Sequence, residues 1–271
     1  MMEEDFSKYN GEGTQLRKVQ LRILDIMVAI DKVCRDNDIK YWLDYGSLLG
    51  AVRHKGFIPW DDDIDICLMD EDYGKLRKAL INELPEQFVF QDTSTDKYVF
   101  IRPGRVRDTH SHCDYPHFAK LKEQGLWVDI FQTDRVLSKQ SKQFFDFFYR
   151  RSFREIHHYG DVAYKSSIKR VVYKLCAYAI HPFASLGVYI NKWLANRKKT
   201  GLLSHFAYNY PAMWALEANV FPLTEVEFEG HKFFAPGNFD AHLKMRYGDY
   251  MKLPPVDKRV YHLDLDNVKI W

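Results

Sequence analysis

The stretch Asp44-Tyr-Gly-Ser-Leu-Leu-Gly-Ala-Val-Arg-His-Lys-Gly-Phe-Ile-Pro-Trp-Asp-Asp-Asp-Ile-Asp-Ile66 sets a small-residue turn that opens a helix ahead of a strand dense in carboxylates. Pro59 cannot donate to a sheet ladder, so the strand is expected after it, from Asp61 to Leu68. Side chains alternate across a strand, which puts Asp61, Asp63 and Asp65 on one face and Ile64, Ile66 and Leu68 on the other. The second face belongs to a core. On the first, unpaired carboxylates about 4 Å apart repel by roughly 4 kcal/mol at an effective dielectric of about 20. A divalent cation removes that cost, and Mg²⁺ (or Mn²⁺) takes carboxylates together with water and phosphate oxygens. Asp62 points the other way and is not expected to be a ligand. The bland alternative is a solvated acidic turn, against which the interleaved apolar residues argue.

Gly46 and Ser47 precede Leu48 to His54, which reads as a short helix. Free backbone N–H groups at a helix start, with the Ser47 hydroxyl, form an anion site. Alone, this is no more than an ordinary N-cap. Its position ahead of the Asp strand makes it specific.

The run from Tyr41 through Gly46-Ser47 and Arg53 to Asp61-Asp-Asp-Ile-Asp65 resembles the LicD family of phosphotransferases, related to fukutin and fukutin-related protein. The resemblance implies a nucleotidyltransferase-like fold in which the Gly-Ser turn and the Asp-x-Asp strand bind a metal-nucleotide. It further implies transfer of phosphocholine from CDP-choline to a hydroxyl of a cell-surface glycan of lipopolysaccharide or teichoic acid type, the acceptor being lipid-linked in some settings, with release of CMP. Other CDP donors, carrying ribitol phosphate or glycerol phosphate, remain alternatives, as does a non-catalytic nucleotide- or glycan-binding module. Further along, Gly125-Leu-Trp-Val-Asp-Ile-Phe-Gln-Thr-Asp134 is similar to the matching family segment, and Tyr247-Gly-Asp before Pro254-Pro255 to its terminal one. The likeness therefore covers about residues 38 to 255.

Asp129 is a lone carboxylate between Val128 and Ile130 and needs a partner. It is expected to complete the metal cage with Asp61, Asp63 and Asp65 or to act as base; the alternative is an ion pair with Arg102, Arg105 or Arg107. Asp63, Asp65 and Asp129 are the expected catalytic residues. Arg105 and Arg107 share a strand face and suit a diphosphate by their planar donors, although exposed edge-strand arginines are as common. Gly46, Ser47, Arg53, Arg105 and Arg107 make up the expected substrate-binding set.

Around this centre, Leu16, Val19, Ile23, Ile26, Met27, Ile30 and Val33 recur at helical spacing, so one helix is expected from Thr14, its N-cap, to Asn37. Lys40 to Asp44 reads as the first strand. Asp70 is expected to cap a second amphipathic helix through about Asn82, with Pro85 at its exit. Strands are expected at Phe88 to Gln91 and Tyr98 to Arg107, broken at Pro103-Gly104. Thr109 to Lys120 holds His110, His112, Cys113 and His117 in irregular spacing, which suits a mobile loop over the site better than zinc. Val226 to Phe234 reads as a hairpin turning at Gly230, and Asn238 caps a helix to Tyr247.

The expected class is α+β: a nucleotidyltransferase-like mixed sheet flanked by helices, with a helical, aromatic-rich C-terminal half. Residues 1–13 form a loosely ordered arm without the pattern of a signal peptide or anchor. Residues 14–135 form the catalytic core, and 136–271 a helical region completing one domain. Ser138 to His158 is helical in pattern, and Ser166 to Lys199 continues as a long apolar helix interrupted at His181-Pro182. A buried helical core is the favoured reading of that helix, with contact at a membrane surface, through flanking Lys and Arg, as the alternative. Among 271 residues, 46% hydrophobic and 15% aromatic, a net charge of +2 without dense basic runs argues against nucleic acid. Four scattered cysteines suggest a reducing, cytoplasmic setting, at the inner face of the membrane if that contact is made.

Overall fold

The structure, a computed structural model, describes residues 5–114, 119–207 and 213–271. A one-turn helix α1 (Ser7–Asn10) leads into α2 (Gln15–Asp36), whose N-cap Thr14 accepts from the backbone N–H of Arg17 as its hydroxyl predicts. The arm is packed rather than loose in its described part: Phe6 and Tyr9 set their rings edge-on to Trp60, 6.1 and 5.5 Å away. Then follow β1 (Trp42–Leu43), α3 (Tyr45–His54), β2 (Asp65–Met69), α4 (Asp70–Glu83), β3 (Phe88–Gln91), β4 (Gly104–Asp108), β5 (Ser111–Cys113) and β6 (Trp127–Arg135). The C-terminal half holds α5 (Lys139–Ile156), α6 (Tyr159–Ala163), α7 (Ser167–Lys198), β7 (Leu202–Ser204), β8 (Trp214–Leu216), α8 (Glu217–Val220), β9 (Thr224–Phe228), β10 (His231–Ala235), α9 (Phe239–Tyr247) and β11 (Val268–Ile270).

The main sheet is mixed, in the order β1-β2-β6-β4-β3, with β7 and β8 continuing from the far end of β6. Its only parallel pair in that order is β2 with β6, which sets Asp65 beside Asp129 and Ile66 beside Ile130. The apolar stripe of α2 covers one face: Val19, Ile23, Ile26, Met27 and Ile30 are buried against Ile64, Ile66, Leu68, Val128 and Ile130. The β9–β10 hairpin turns on Glu229 and Gly230, both at positive φ, the twist that a two-residue hairpin needs. Glu229 is held there by Arg17 at 2.6 Å.

Several expectations are corrected. The Asp strand begins at Asp65, not Asp61, because β1 is only two residues long and gives residues 61–64 no ladder partner. The alternation of faces nevertheless persists through residues 61–66. Asp70 is the first residue of α4 and caps nothing; its carboxylate receives Arg102 and Lys192. Residues 98–103 are irregular, since Arg102 turns inward to Asp70, Gln132 and Asp134. Residues 111–113 are no loop over the site but β5, paired with β11. His117 lies outside the described residues. Finally, α7 runs unbroken through Pro182, which sits on its exposed side. Nor is α7 a buried core helix: Leu175, Phe183, Leu186 and Tyr189 are all exposed.

The C-terminal half is fastened to the sheet through Asp134. It is 2% exposed and receives Arg102 from the core and Lys192 from α7. Removing one partner of such a cluster strands the others, so Asp134→Ala is expected to lower unfolding stability by about 3 kcal/mol, read by urea denaturation.

Candidate active site

Asp44 anchors the start of α3. Its Oδ1 accepts from the backbone N–H of Tyr45 at 2.7 Å, while His242 and Arg246, both on α9, reach the same carboxylate at 2.9 and 3.3 Å. Burial alone would raise its pKa, but Arg246 and His242 outweigh burial and hold it well below the usual carboxylate range. Arg246 also lies over the Tyr45 ring, 4.1 Å from its centre. Helix α3 thus starts three residues earlier than the apolar pattern suggests, with a capping acid behind it.

The turn and the Asp strand meet directly. The Ser47 hydroxyl oxygen accepts from the backbone N–H of Asp65 at 2.8 Å, tying the helix start to the first residue of β2. Its own proton stays available for donation. A Cβ on Gly46 would lie 2.6 Å from Asp61 Oδ2, so only glycine lets that carboxylate rest against the helix start.

Asp61, Asp62, Asp63 and His262 bring one ligand-type atom each to within 4.8 Å of one another. Asp62 is turned from the open face: it is buried and accepts from the backbone N–H groups of His262 and Leu263. Asp65 stands beside Asp129, whose Oδ1 receives Arg105 at 2.6 Å and whose Oδ2 receives the Trp127 indole N–H at 2.9 Å. The ion pair with Arg105 and a place beside the Asp strand are therefore both realised. Among the described residues, no Lys or Arg forms an ion pair with Asp61, Asp63 or Asp65; the nearest cation is His262, 3.9 Å from Asp63. Burial first, and Asp62 second, pushes Asp61 up to about 6. Burial and neighbouring carboxylates raise Asp63 and Asp65 well above their usual range. Such a group of hard oxygens lacks positive charge and suits a divalent cation.

His262 was not found by sequence reasoning: a lone histidine in a polar tail gives no signal, and its partner Asp62 is 200 residues away. Its hydrogen bond to Asp62, opposed by burial and aided by Asp63, raises its pKa to about 9. The expected arginines are differently placed. Arg105 faces the cluster through Asp129. Arg107 is fully buried and donates to Gln91 and to the carbonyl of Gly125, which removes it from the donors that a diphosphate can reach. Arg53 lies at the far end of α3, about 10 Å along the helix from Ser47, and donates to the Tyr250 carbonyl. His110, His112 and Cys113 lie on or beside β5, with Cys113 buried.

A helix start stitched to a run of carboxylates, with Asp129 set beside it by the adjacent parallel strand, is an arrangement able to hold a metal-bound phosphate group. Residues 38–159 match the model of the LicD/FKTN/FKRP nucleotidyltransferase domain, so the chain carries a domain of that type. It is similar to the lipopolysaccharide cholinephosphotransferase LicD of Haemophilus influenzae, 25% identical over 92% of this chain and 96% of the relative. It is also similar to the ribitol 5-phosphate transferase FKRP of Mus musculus and of Homo sapiens, each 33% identical over 34% of this chain and 20% of the relative. The chain is an enzyme, a transferase of phosphoryl groups.

Gly46→Ala is expected to displace Asp61 and reduce turnover at least tenfold while the protein stays folded, as circular dichroism and CMP release together would read. Ionised Asp44 contributes stability that is present above its ordinary pKa of about 3.9 and lost as pH falls below it. The stability gap between wild type and Asp44→Asn is thus expected to shrink between about pH 5 and pH 3, measured by urea unfolding at each pH.

Proposed function

We propose that the enzyme transfers phosphocholine from CDP-choline to a hydroxyl of a cell-surface glycan and releases CMP. The observation that carries this reading is the cluster of Asp61, Asp63 and Asp65 without a Lys or Arg partner, set against the α3 start and beside Asp129. The choline assignment is supported by likeness along nearly the full length of a relative named a cholinephosphotransferase. The FKRP relatives match only over 97 residues, so ribitol phosphate is the second reading for the transferred group. The four cysteines are free thiols, which supports a cytoplasmic setting.

In this reading Asp61, Asp63 and Asp65, with Asp129 beside them, hold Mg²⁺ or Mn²⁺. When bound, the ion neutralises diphosphate charge and polarises the phosphoryl oxygens. The Ser47 hydroxyl and the first backbone N–H groups of α3 bind phosphate oxygens. Arg105, already beside Asp129, adds a planar donor. Tyr247, near Asp61 and Asp65, offers a ring face to a trimethylammonium group. The acceptor hydroxyl oxygen attacks the phosphorus on the choline side, and the bond from that phosphorus to the CMP oxygen breaks. Asp129, fixed in orientation by Arg105 and Trp127, takes the hydroxyl proton. Positioning and charge neutralisation supply most of the rate.

Titration calorimetry with CDP-choline, CDP-ribitol and CDP-glycerol, each with and without Mg²⁺, tests the donor. Metal-dependent binding confined to CDP-choline is expected; preference for another donor replaces the transferred group, and no metal-dependent binding overturns the site. Asp63→Asn and Asp65→Asn are expected to lose metal-dependent nucleotide binding and at least a thousandfold in turnover. Asp129→Asn should retain more of the binding than of the turnover.

A further inference from the structure

Helix α7 carries two apolar stripes. At about 100° per residue, Ala177, Ala184, Gly187, Val188, Asn191 and Ala195 fall on one side, and these are its buried residues. They face α5, the element against which α7 packs. Gly187 permits the closest approach: a Cβ there would lie 2.3 Å from the Phe145 ring. The opposite side, running from Ile168 through Leu175, Leu186 and Tyr189 to Trp193, is equally apolar and exposed, Ile168 at 77% and Leu175 at 65%. Phe183, beside this stripe, is 78% exposed, and α5 carries exposed Phe144 and Phe147 of its own. An apolar stripe running the length of a helix requires a cover.

The charges indicate which cover. In its 32 residues α7 has six Lys and Arg side chains and no acidic one, three near each end, with residues 175–191 uncharged between them. On α5 both acidic residues are buried, Asp146 against Lys142 and Glu155 beneath Tyr164, so the charge that α5 exposes is basic too. A second copy docked by two-fold symmetry would press basic surface on basic surface. A bilayer bearing anionic headgroups meets both features at once.

We propose that the exposed stripe of α7 lies in the plane of an anionic membrane surface, with its apolar side chains among the acyl chains and Lys169, Lys174, Arg197 and Lys198, near its two ends, at the level of the lipid phosphates. The helix does not cross the bilayer: Lys192 is held by Asp70 and Asp134 of the catalytic unit. The inference is independent of which donor the enzyme uses.

The test is sedimentation of the full chain with vesicles of equimolar phosphatidylglycerol and phosphatidylcholine, and with phosphatidylcholine alone. The expected result is binding to the anionic vesicles, about tenfold weaker on the neutral ones, and reduced by salt. Phe183→Glu with Leu186→Glu, two exposed positions, should abolish it without moving the thermal midpoint, and Lys169→Gln with Lys198→Gln should weaken it. Four results overturn the proposal: no binding to either vesicle; binding by the Phe183→Glu/Leu186→Glu protein equal to wild type; retention in the membrane after an alkaline carbonate wash, which means a spanning helix; or a dimer in light scattering that this double variant splits, with no vesicle binding.

Discussion

Like charge held at close range is the constraint on which the rest of this structure depends. Asp61, Asp63 and Asp65 lie on one side of the extended chain entering β2, beside Asp129 on β6, and burial and mutual repulsion oppose the ionisation of these three. The fold holds them there by covalent order and backbone bonding rather than by neutralising them. Asp65 is fixed by the Ser47 hydroxyl on its N–H, and Asp61 by the missing side chain of Gly46. The basic residues close by are committed to the outer members, Arg246 to Asp44 and Arg105 to Asp129. His262 offsets part of the remaining charge from beside Asp62 and Asp63, and the rest is left to what binds, a preorganised deficit that favours a cationic or metal-laden ligand over none.

The same reasoning separates what could be read from the sequence and what could not. Face alternation from Asp61 to Ile66 survives where the strand itself does not, since alternation needs only an extended chain, whereas a strand needs a partner and β1 ends too soon. The helix α2, the hairpin turning at Gly230 and the Asn238 cap are local and were recoverable from spacing and turn chemistry. Asp44, His262 and Arg107 were not. Each owes its role to a group brought close by the fold: His242 stands 198 residues from Asp44, and His262 200 residues from Asp62. Arg107 shares its strand face with Arg105, as alternation requires, but one faces the acid cluster while the other is sealed beneath Trp127 and Gln91.

The error over α7 has a different origin. An apolar helix of ordinary composition is read as core because burial is the usual way to hide such a surface. Here only one side is hidden, and it is lined by the small residues Ala177, Ala184 and Gly187, while the large side chains face outward. Size, not hydropathy, was the signal: close helix packing takes the small residues and leaves the large ones for another contact.

That division places two functions on one rigid frame. Lys192 ties α7 to Asp70 and Asp134, at the ends of β2 and β6 opposite to Asp65 and Asp129. Four or five strand residues separate the two ends, roughly 15 Å at strand rise. Because Asp134 is buried and bonded to Arg102, whose side chain is only 14% exposed, the outer helix cannot shift without disturbing the strands that carry the acid cluster. A contact made along α7 is thereby transmitted as a fixed orientation of the catalytic carboxylates, rather than as a flexible tether that leaves their orientation open.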